Sequence, residues 1–243
     1  MKAVQQWHSD RLGQQINLVR WGTYGTPVLI FPTAGGDFEE IERFHLISAL
    51  DELIGAGRIK VYSVDSLNGR TFLTSDDPRY IGRIMNAFSS VIRNEVVPAI
   101  RADCRSAIEI ITAGSSIGAF NALEVLCRHP DVFSSALCVS GTFDLTKWLK
   151  GPMSSDFYFS SPIHYLPGLP DGELLEQLRQ RYVLFAHGLG RAEEPGESWR
   201  AAQVLGERGI PNRVEEWGPE WPHDWTTWRE MFPRFLDQLT RDR

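Results

Sequence analysis

Residues 108–127 read IEIITAGSSIGAFNALEVLC, and this stretch decides the fold. The apolar run from Ile108 to Thr112 is typical of a strand that is buried on both faces. A turn of small residues follows, and Ile117 to Cys127 is predicted to be a helix. Gly114-Ser115-Ser116-Ile117-Gly118 matches the pattern G-x-S-x-G, in which a serine lies on a tight turn between strand and helix with its hydroxyl exposed. The match alone is weak, but this placement favours Ser116 as a nucleophile.

Predicted strands and helices alternate on both sides of this stretch. Two strands between Val4 and Trp21 flank a turn at Asp10–Gly13. The other predicted strands are Val28–Phe31, Val61–Val64, Ala136–Val139, Tyr182–Ala186 and Arg213–Trp217, and the other predicted helices are Phe38–Ile54, Pro78–Arg101, Ser198–Arg208 and Thr226–Leu239. This alternation predicts an α/β fold with a mostly parallel sheet and helices on both faces. In such sheets functional residues gather at the carboxyl ends of the strands.

The chain shows no boundary between domains. It has no repeat, low-complexity tract or long charge run, so we expect residues 1–243 to form one domain. Residues 142–172 are rich in serine, proline and aromatic residues and have no clear period. We expect this segment to be an irregular, short cap over the site.

Composition excludes several classes of protein. With 25 Lys+Arg against 31 Asp+Glu, the formal charge is −6, which argues against nucleic-acid binding. A hydrophobic fraction of 42% excludes a mainly disordered chain. No run of about 18 apolar residues predicts a membrane span, and the N-terminus lacks a signal-peptide core. Cys104, Cys127 and Cys138 form no CxxC pair. We expect a cytoplasmic protein without disulfides.

A serine nucleophile needs a histidine as general base. His223 lies in the loop between the last predicted strand and the last helix, and the chain order nucleophile, acid, histidine is that of α/β-hydrolases. His187, at the end of the Tyr182–Ala186 strand, is a rival. We expect His223 to be the base, although it could be a solvated loop residue beside a helix-capping Asp224.

The third member of such a site is a carboxylate that orients the imidazole. The loop after Tyr182–Ala186 offers two adjacent glutamates, and we favour Glu193 over Glu194. Asp144, after the preceding strand, is a further alternative.

Other residues are predicted around the serine. The backbone N–H of Ile117 would donate to an oxyanion, and Thr33 and Ala34, in the small-residue loop after Val28–Phe31, could supply a second donor. Among the tryptophans near His223, Trp221 is the candidate for a pocket wall. Phe143 and Asp144 are pocket candidates from the cap segment.

Cofactor chemistry finds little support in the sequence. The glycine-rich turn after Val28–Phe31, with Asp65 ending the next strand, weakly suggests a dinucleotide site, but neither G-x-G-x-x-G nor a P-loop is present. No H-E-x-x-H or other close ligand cluster suggests a metal. We expect no cofactor and no metal.

Five segments together resemble a known family. They are Phe31–Gly36, Gly114–Gly118, Ser140–Asp144, Ser160–Leu166 and Trp217–Trp225. They look like the putative-esterase branch of α/β-hydrolases, which includes esterase-D-like enzymes and mycolyltransferases. The resemblance implies a Ser/acid/His triad at Ser116, Glu193 (or Glu194) and His223.

The expected activity is cleavage of a small-molecule carboxylic ester through an acyl-enzyme on Ser116. Three alternatives stay open: an acyltransferase that uses the same acyl-enzyme, an amide or thioester substrate, and a non-catalytic binding protein. A homo-oligomer is possible.

Overall fold

A single mixed sheet organises the computed structural model, which describes residues 1–241. Within those residues its strands are β1 (Lys2–Ser9), β2 (Gln14–Trp21), β3 (Thr26–Phe31), β4 (Ile59–Val64), β5 (Ile110–Ser115), β6 (Phe133–Val139), β7 (Tyr182–His187) and β8 (Asn212–Glu216). Their order is β1-β2-β4-β3-β5-β6-β7-β8. The first two strands are antiparallel to their neighbours, whereas β3 to β8 run parallel to one another. The predicted α/β class and mostly parallel sheet are confirmed.

Helices cover both faces of the sheet. They are α1 (Glu40–Arg43), α2 (Leu46–Ala49), α3 (Asp51–Gly55), α4 (Leu67–Thr74), α5 (Pro78–Val91), α6 (Val97–Cys104), α7 (Ile117–Arg128), α8 (Ser155–Phe159), α9 (Pro162–Tyr165), α10 (Glu173–Leu178), α11 (Pro195–Glu207) and α12 (Trp225–Thr240). Side chains alternate across each strand. In β3, Leu29 and Phe31 therefore pack with α5, α6 and α7, whereas Val28 and Ile30 pack with α1 to α3 and α12.

Two predicted helices are interrupted in the structure. The segment predicted as one helix over Phe38–Ile54 is divided into α1, α2 and α3, and His45 between the first two has a φ of +62°. The predicted Pro78–Arg101 helix contains a π-helical turn at Ile92–Val96 between α5 and α6. This widened turn immediately precedes α6, whose second residue is Pro98, and a proline cannot donate to the previous turn of a regular helix.

The segment expected to be an irregular cap, residues 142–172, contains four short helical pieces. These are a 3₁₀ turn at Leu145–Trp148, α8, α9 and a second 3₁₀ turn at Leu166–Gly168. The sequence predicts no helix at α4, which follows β4 and lies close to this segment: Phe72 of α4 contacts Trp148 and Phe157. Helix α4 and residues 142–172 therefore pack against each other through these aromatic rings.

Cys104, Cys127 and Cys138 are all free thiols. Among the helices described over residues 1–241, none is long and apolar enough to cross a membrane.

Candidate active site

Ser116 sits on a strained turn at the carboxyl end of β5. Its φ is +56° and its ψ is −123°, a backbone conformation that residues with a Cβ rarely adopt. A Cβ on Gly114 would lie 2.3 Å from the carbonyl carbon of Gly118, and a Cβ on Gly118 would lie 2.3 Å from the Phe31 carbonyl oxygen. Gly114 is thus needed for β5 and α7 to approach closely at this turn, and Gly118 is needed for α7 to approach the end of β3.

His223 lies in the loop between β8 and α12. Its backbone N–H donates to the Arg191 carbonyl oxygen at 3.0 Å, which ties this loop to the loop after β7. The imidazole packs edge-to-face with the Trp228 indole, with ring centroids 5.2 Å apart. About a quarter of the His223 side chain is exposed, so the imidazole is packed against Trp228 but still accessible from solvent.

Of the three candidate acids, Glu193 lies beside the imidazole. Its Oε2 is 3.6 Å from Nδ1 of His223, and its side chain is 1% exposed. Glu194 is 61% exposed and pairs with Lys147 at 2.7 Å. Asp144 caps the 3₁₀ turn at Leu145–Trp148 and pairs with Arg200, and both contacts lower the pKa of its carboxyl against the opposing effect of burial.

Ser116 and His223 line the same cavity, whose volume is about 510 Å³. Its apolar side is formed by residues of α4, of α7, of the 3₁₀ turn at Leu145–Trp148 and of the loops after β3 and β7: Phe72, Leu73, Ile117, Trp148, Ala34 and Ala192. The exposed fractions of Leu73 (66%) and Trp148 (42%) place this apolar wall at an open mouth. Lys147 and Glu194 line the same cavity.

Two of the three predicted oxyanion residues line this cavity. Ile117 follows Ser116 at the first position of α7, and Ala34 is on the loop after β3. Thr33 does not line the cavity, and its N–H and Oγ1 both donate to the Glu40 carboxylate at 2.7 Å. Burial raises the pKa of Glu40 against these two hydrogen bonds. Thr33 therefore serves to anchor the loop.

The three predicted pocket residues do not line the cavity. The Trp221 ring packs against Trp217, and its backbone packs against Gly188 and Gly190. Phe143 is 1% exposed and packs against Phe185 of β7. The Asp144 carboxylate is occupied by Arg200 and the 3₁₀ turn.

The sequence analysis missed the aromatic wall formed by Phe72 and Trp148, whose ring centroids are 5.7 Å apart. A weak signal for it existed, since Phe72 and Leu73 are adjacent apolar residues in the segment that follows β4.

His187, the rival base, has a different environment. It is 1% exposed, and its Nε2 lies 3.2 Å from the Glu216 carboxylate on β8. It does not line the cavity that holds Ser116. Among residues 1–241, no group of three or more His, Cys, Asp or Glu side chains is arranged to hold a metal ion.

Known proteins resemble the chain over most of its length. The family model described as Putative esterase matches residues 74–239. No curated protein matches the chain significantly. A ferulic acid esterase is 16% identical, with a TM-score of 0.77 over 99% of this chain and 98% of that one.

Two further solved structures show the same similarity. FphF, a fluorophosphonate-binding serine hydrolase of Staphylococcus aureus, is 16% identical, with a TM-score of 0.67 over 99% of this chain and 98% of that one. MPT51 of Mycobacterium tuberculosis is 14% identical, with a TM-score of 0.68 over 98% of this chain and 99% of that one. These similarities show the α/β-hydrolase fold, and the family match covers well over half of the 243 residues. The chain therefore belongs to the Putative esterase family and is an esterase of the α/β-hydrolase fold.

Proposed function

We propose that the protein is a serine hydrolase that cleaves carboxylic esters of small molecules through an acyl-enzyme on Ser116. One observation carries this proposal: Ser116, on its strained turn, shares a cavity with His223, and the buried Glu193 carboxylate lies 3.6 Å from Nδ1 of the imidazole. These are the nucleophile, base and orienting acid that acyl transfer requires. They come from β5–α7, the loop after β7 and the loop after β8, so we also propose that the chain is one domain.

In the first half-reaction, the Ser116 Oγ attacks the ester carbonyl carbon and its proton passes to Nε2 of His223. The Glu193 carboxylate holds Nδ1–H and stabilises the imidazolium that forms. The backbone N–H groups of Ile117 and Ala34 donate hydrogen bonds to the former carbonyl oxygen and stabilise its negative charge. The C–O bond to the alcohol then breaks, and His223 donates its proton to the leaving alkoxide.

In the second half-reaction, a water molecule attacks the acyl carbon while His223 removes a proton from the water. The second tetrahedral intermediate collapses, the bond to the Ser116 Oγ breaks, and His223 returns the proton to that oxygen. The carboxylic acid leaves, and the free enzyme is restored.

The cavity lining indicates what kind of substrate group the site binds. Phe72, Leu73 and Trp148 offer an apolar surface at the mouth of the cavity, which favours an apolar acyl or alcohol group. The Lys147–Glu194 pair lies at the same site. A small, largely apolar ester fits this lining.

A fluorophosphonate probe tests the nucleophile, because it reacts with an activated serine. We expect the wild-type protein to be labelled and Ser116→Ala to be unlabelled. Ser106→Ala is a matched control, since Ser106 is exposed and lines a separate cavity. A wild type that is not labelled, or a Ser116→Ala variant labelled equally, would overturn the proposal.

Turnover of a p-nitrophenyl ester in the presence of an acceptor alcohol separates hydrolysis from transfer. We expect the free carboxylic acid as the main product. A new ester as the main product would instead show an acyltransferase.

A further inference from the structure

The Glu193 carboxylate has a different partner on each oxygen. Oε2 faces Nδ1 of His223, and Oε1 accepts a hydrogen bond from the Ser140 hydroxyl at 2.6 Å. The Ser140 oxygen in turn accepts the indole N–H of Trp228 at 3.0 Å. Ser140 and Trp228 are 3% and 4% exposed, so water cannot readily replace either bond.

Chemistry fixes the direction of this hydrogen-bond chain. An indole nitrogen can only donate, and a serine hydroxyl has a single proton. Since Trp228 donates to the Ser140 oxygen, the one proton of Ser140 is directed to the Glu193 carboxylate. The chain thus runs from Trp228 through Ser140 to the negative charge and has no reversed form.

The backbone of Ser140 is held in place for this role. Ser140 has a φ of +44° directly after β6, and its N–H donates to the Ala186 carbonyl oxygen of β7 at 2.7 Å. Trp228 contacts the other member of the pair as well, because its ring packs edge-to-face with His223. The two residues therefore touch both the acid and the base.

We propose that Ser140 and Trp228 are positioning residues that set the orientation of the Glu193 carboxylate toward His223. This proposal rests on the proposed function. Holding Oε1 from one side leaves Oε2 directed at the imidazole, and a charge-assisted hydrogen bond supplies the orientation. Without the Ser140 hydroxyl, the buried carboxylate loses this donor and becomes free to rotate away from Nδ1.

Ser140→Ala and Ser140→Gly test the proposal in the full-length protein with a p-nitrophenyl ester. Glycine accommodates the positive φ without strain, so the second variant removes the hydroxyl without a backbone penalty. We expect kcat to fall about 10- to 100-fold in each, the loss that one hydrogen bond to a charged group supports, while KM changes by less than about 2-fold. Trp228→Phe should lower kcat less, because the Ser140 hydroxyl remains.

Two matched controls separate this role from general destabilisation. Ser63→Ala removes a buried hydroxyl of β4 that has no hydrogen-bond partner within residues 1–241. Trp7→Phe removes an indole N–H that donates to Glu95 at 2.8 Å, away from the cavity. Both should retain wild-type kcat.

The deciding measurement is a double-mutant cycle with Glu193→Gln. If Ser140 acts through Glu193, Ser140→Ala should cost nearly nothing further in the Glu193→Gln background. Ser140 also lines the cavity that holds Ser116. A full additional loss in the Glu193→Gln background, or a loss confined to KM, would show instead that Ser140 contacts the substrate directly and would overturn the inference. Failure of the proposed function is distinguishable, because it would appear as unchanged fluorophosphonate labelling of Ser116→Ala.

Discussion

The Oε2 atom of Glu193 lies 3.6 Å from Nδ1 of His223, whereas the carboxylate of the next residue, Glu194, extends into solvent and pairs with Lys147. Two adjacent residues of the same type thus have different environments.

Glutamine substitutions should separate these two glutamates. In Glu193→Gln the imidazole loses its charged partner, and we expect kcat to fall about 1,000-fold or more. Glu194→Gln and Asp144→Asn should stay within about 3-fold of wild type, since surface ion pairs contribute little. Steady-state kinetics on one ester checks all three. A larger loss in Glu194→Gln than in Glu193→Gln would contradict the assignment.

Alanine at Gly118 should disrupt the turn that carries Ser116. The new Cβ would lie 2.3 Å and 2.8 Å from the carbonyl oxygens of Phe31 and Pro32, so backbone must move. We expect the free energy of unfolding to fall by about 3 kcal/mol or more, with loss of activity. Gly196→Ala is the control, because a Cβ there meets nothing within 4 Å in α11. Urea denaturation should show that control unchanged or slightly more stable.

Trp148→Ala should impair binding of bulky esters. The indole and Phe72 form the aromatic wall of the cavity, so its removal should raise KM about 10-fold for an octanoate ester and much less for an acetate. Trp199→Ala is the matched control, since Trp199 is also exposed but does not line this cavity. Equal KM increases for both esters would argue against this binding site.

Glu124→Gln should stabilise the protein in a pH-dependent way. Burial raises the pKa of Glu124 to about 7 from 4.5, against the opposing charge of Arg128. Between these values the folded state holds one more proton than the unfolded state, so the carboxyl lowers stability as pH rises. The difference in unfolding free energy between variant and wild type should therefore grow by about 3 kcal/mol from pH 4 to pH 8.

Denaturant titrations at several pH values check this expectation. Burial also lowers the pKa of His129 to about 4, which changes stability in the opposite direction, but this contribution is common to both proteins and cancels in the difference. A difference that does not vary with pH would mean that Glu124 has an ordinary pKa in the folded protein.

Short apolar runs and the G-x-S-x-G turn were sufficient to predict the sheet class, because a parallel sheet buries its strands on both faces. The placement of Ser116 on a turn between a strand and a helix followed from the same G-x-S-x-G pattern. The same logic placed His223 and Glu193 in loops at the carboxyl ends of neighbouring strands, and the structure brings them together.

Side-chain direction could not be predicted from the sequence. Trp221 is two residues from His223, yet its ring turns away to pack on Trp217. The donors of Thr33 are occupied by Glu40, a contact that depends on how the loop folds back onto α1. Phe72 was missed because α4 has no clear apolar period.

The positive φ of Ser116 implies a conflict between the proposed activity of this residue and the thermal stability of the protein. Glycine adopts such a conformation without a Cβ penalty, so Ser116→Gly should unfold at a higher temperature than the active enzyme while it has no turnover. Differential scanning calorimetry would detect this as a higher unfolding temperature, which corresponds to a gain of about 1 kcal/mol in the free energy of unfolding. Selection for thermal stability alone would then favour replacing the proposed nucleophile, and screens for stabilised variants of this enzyme need activity as a second criterion.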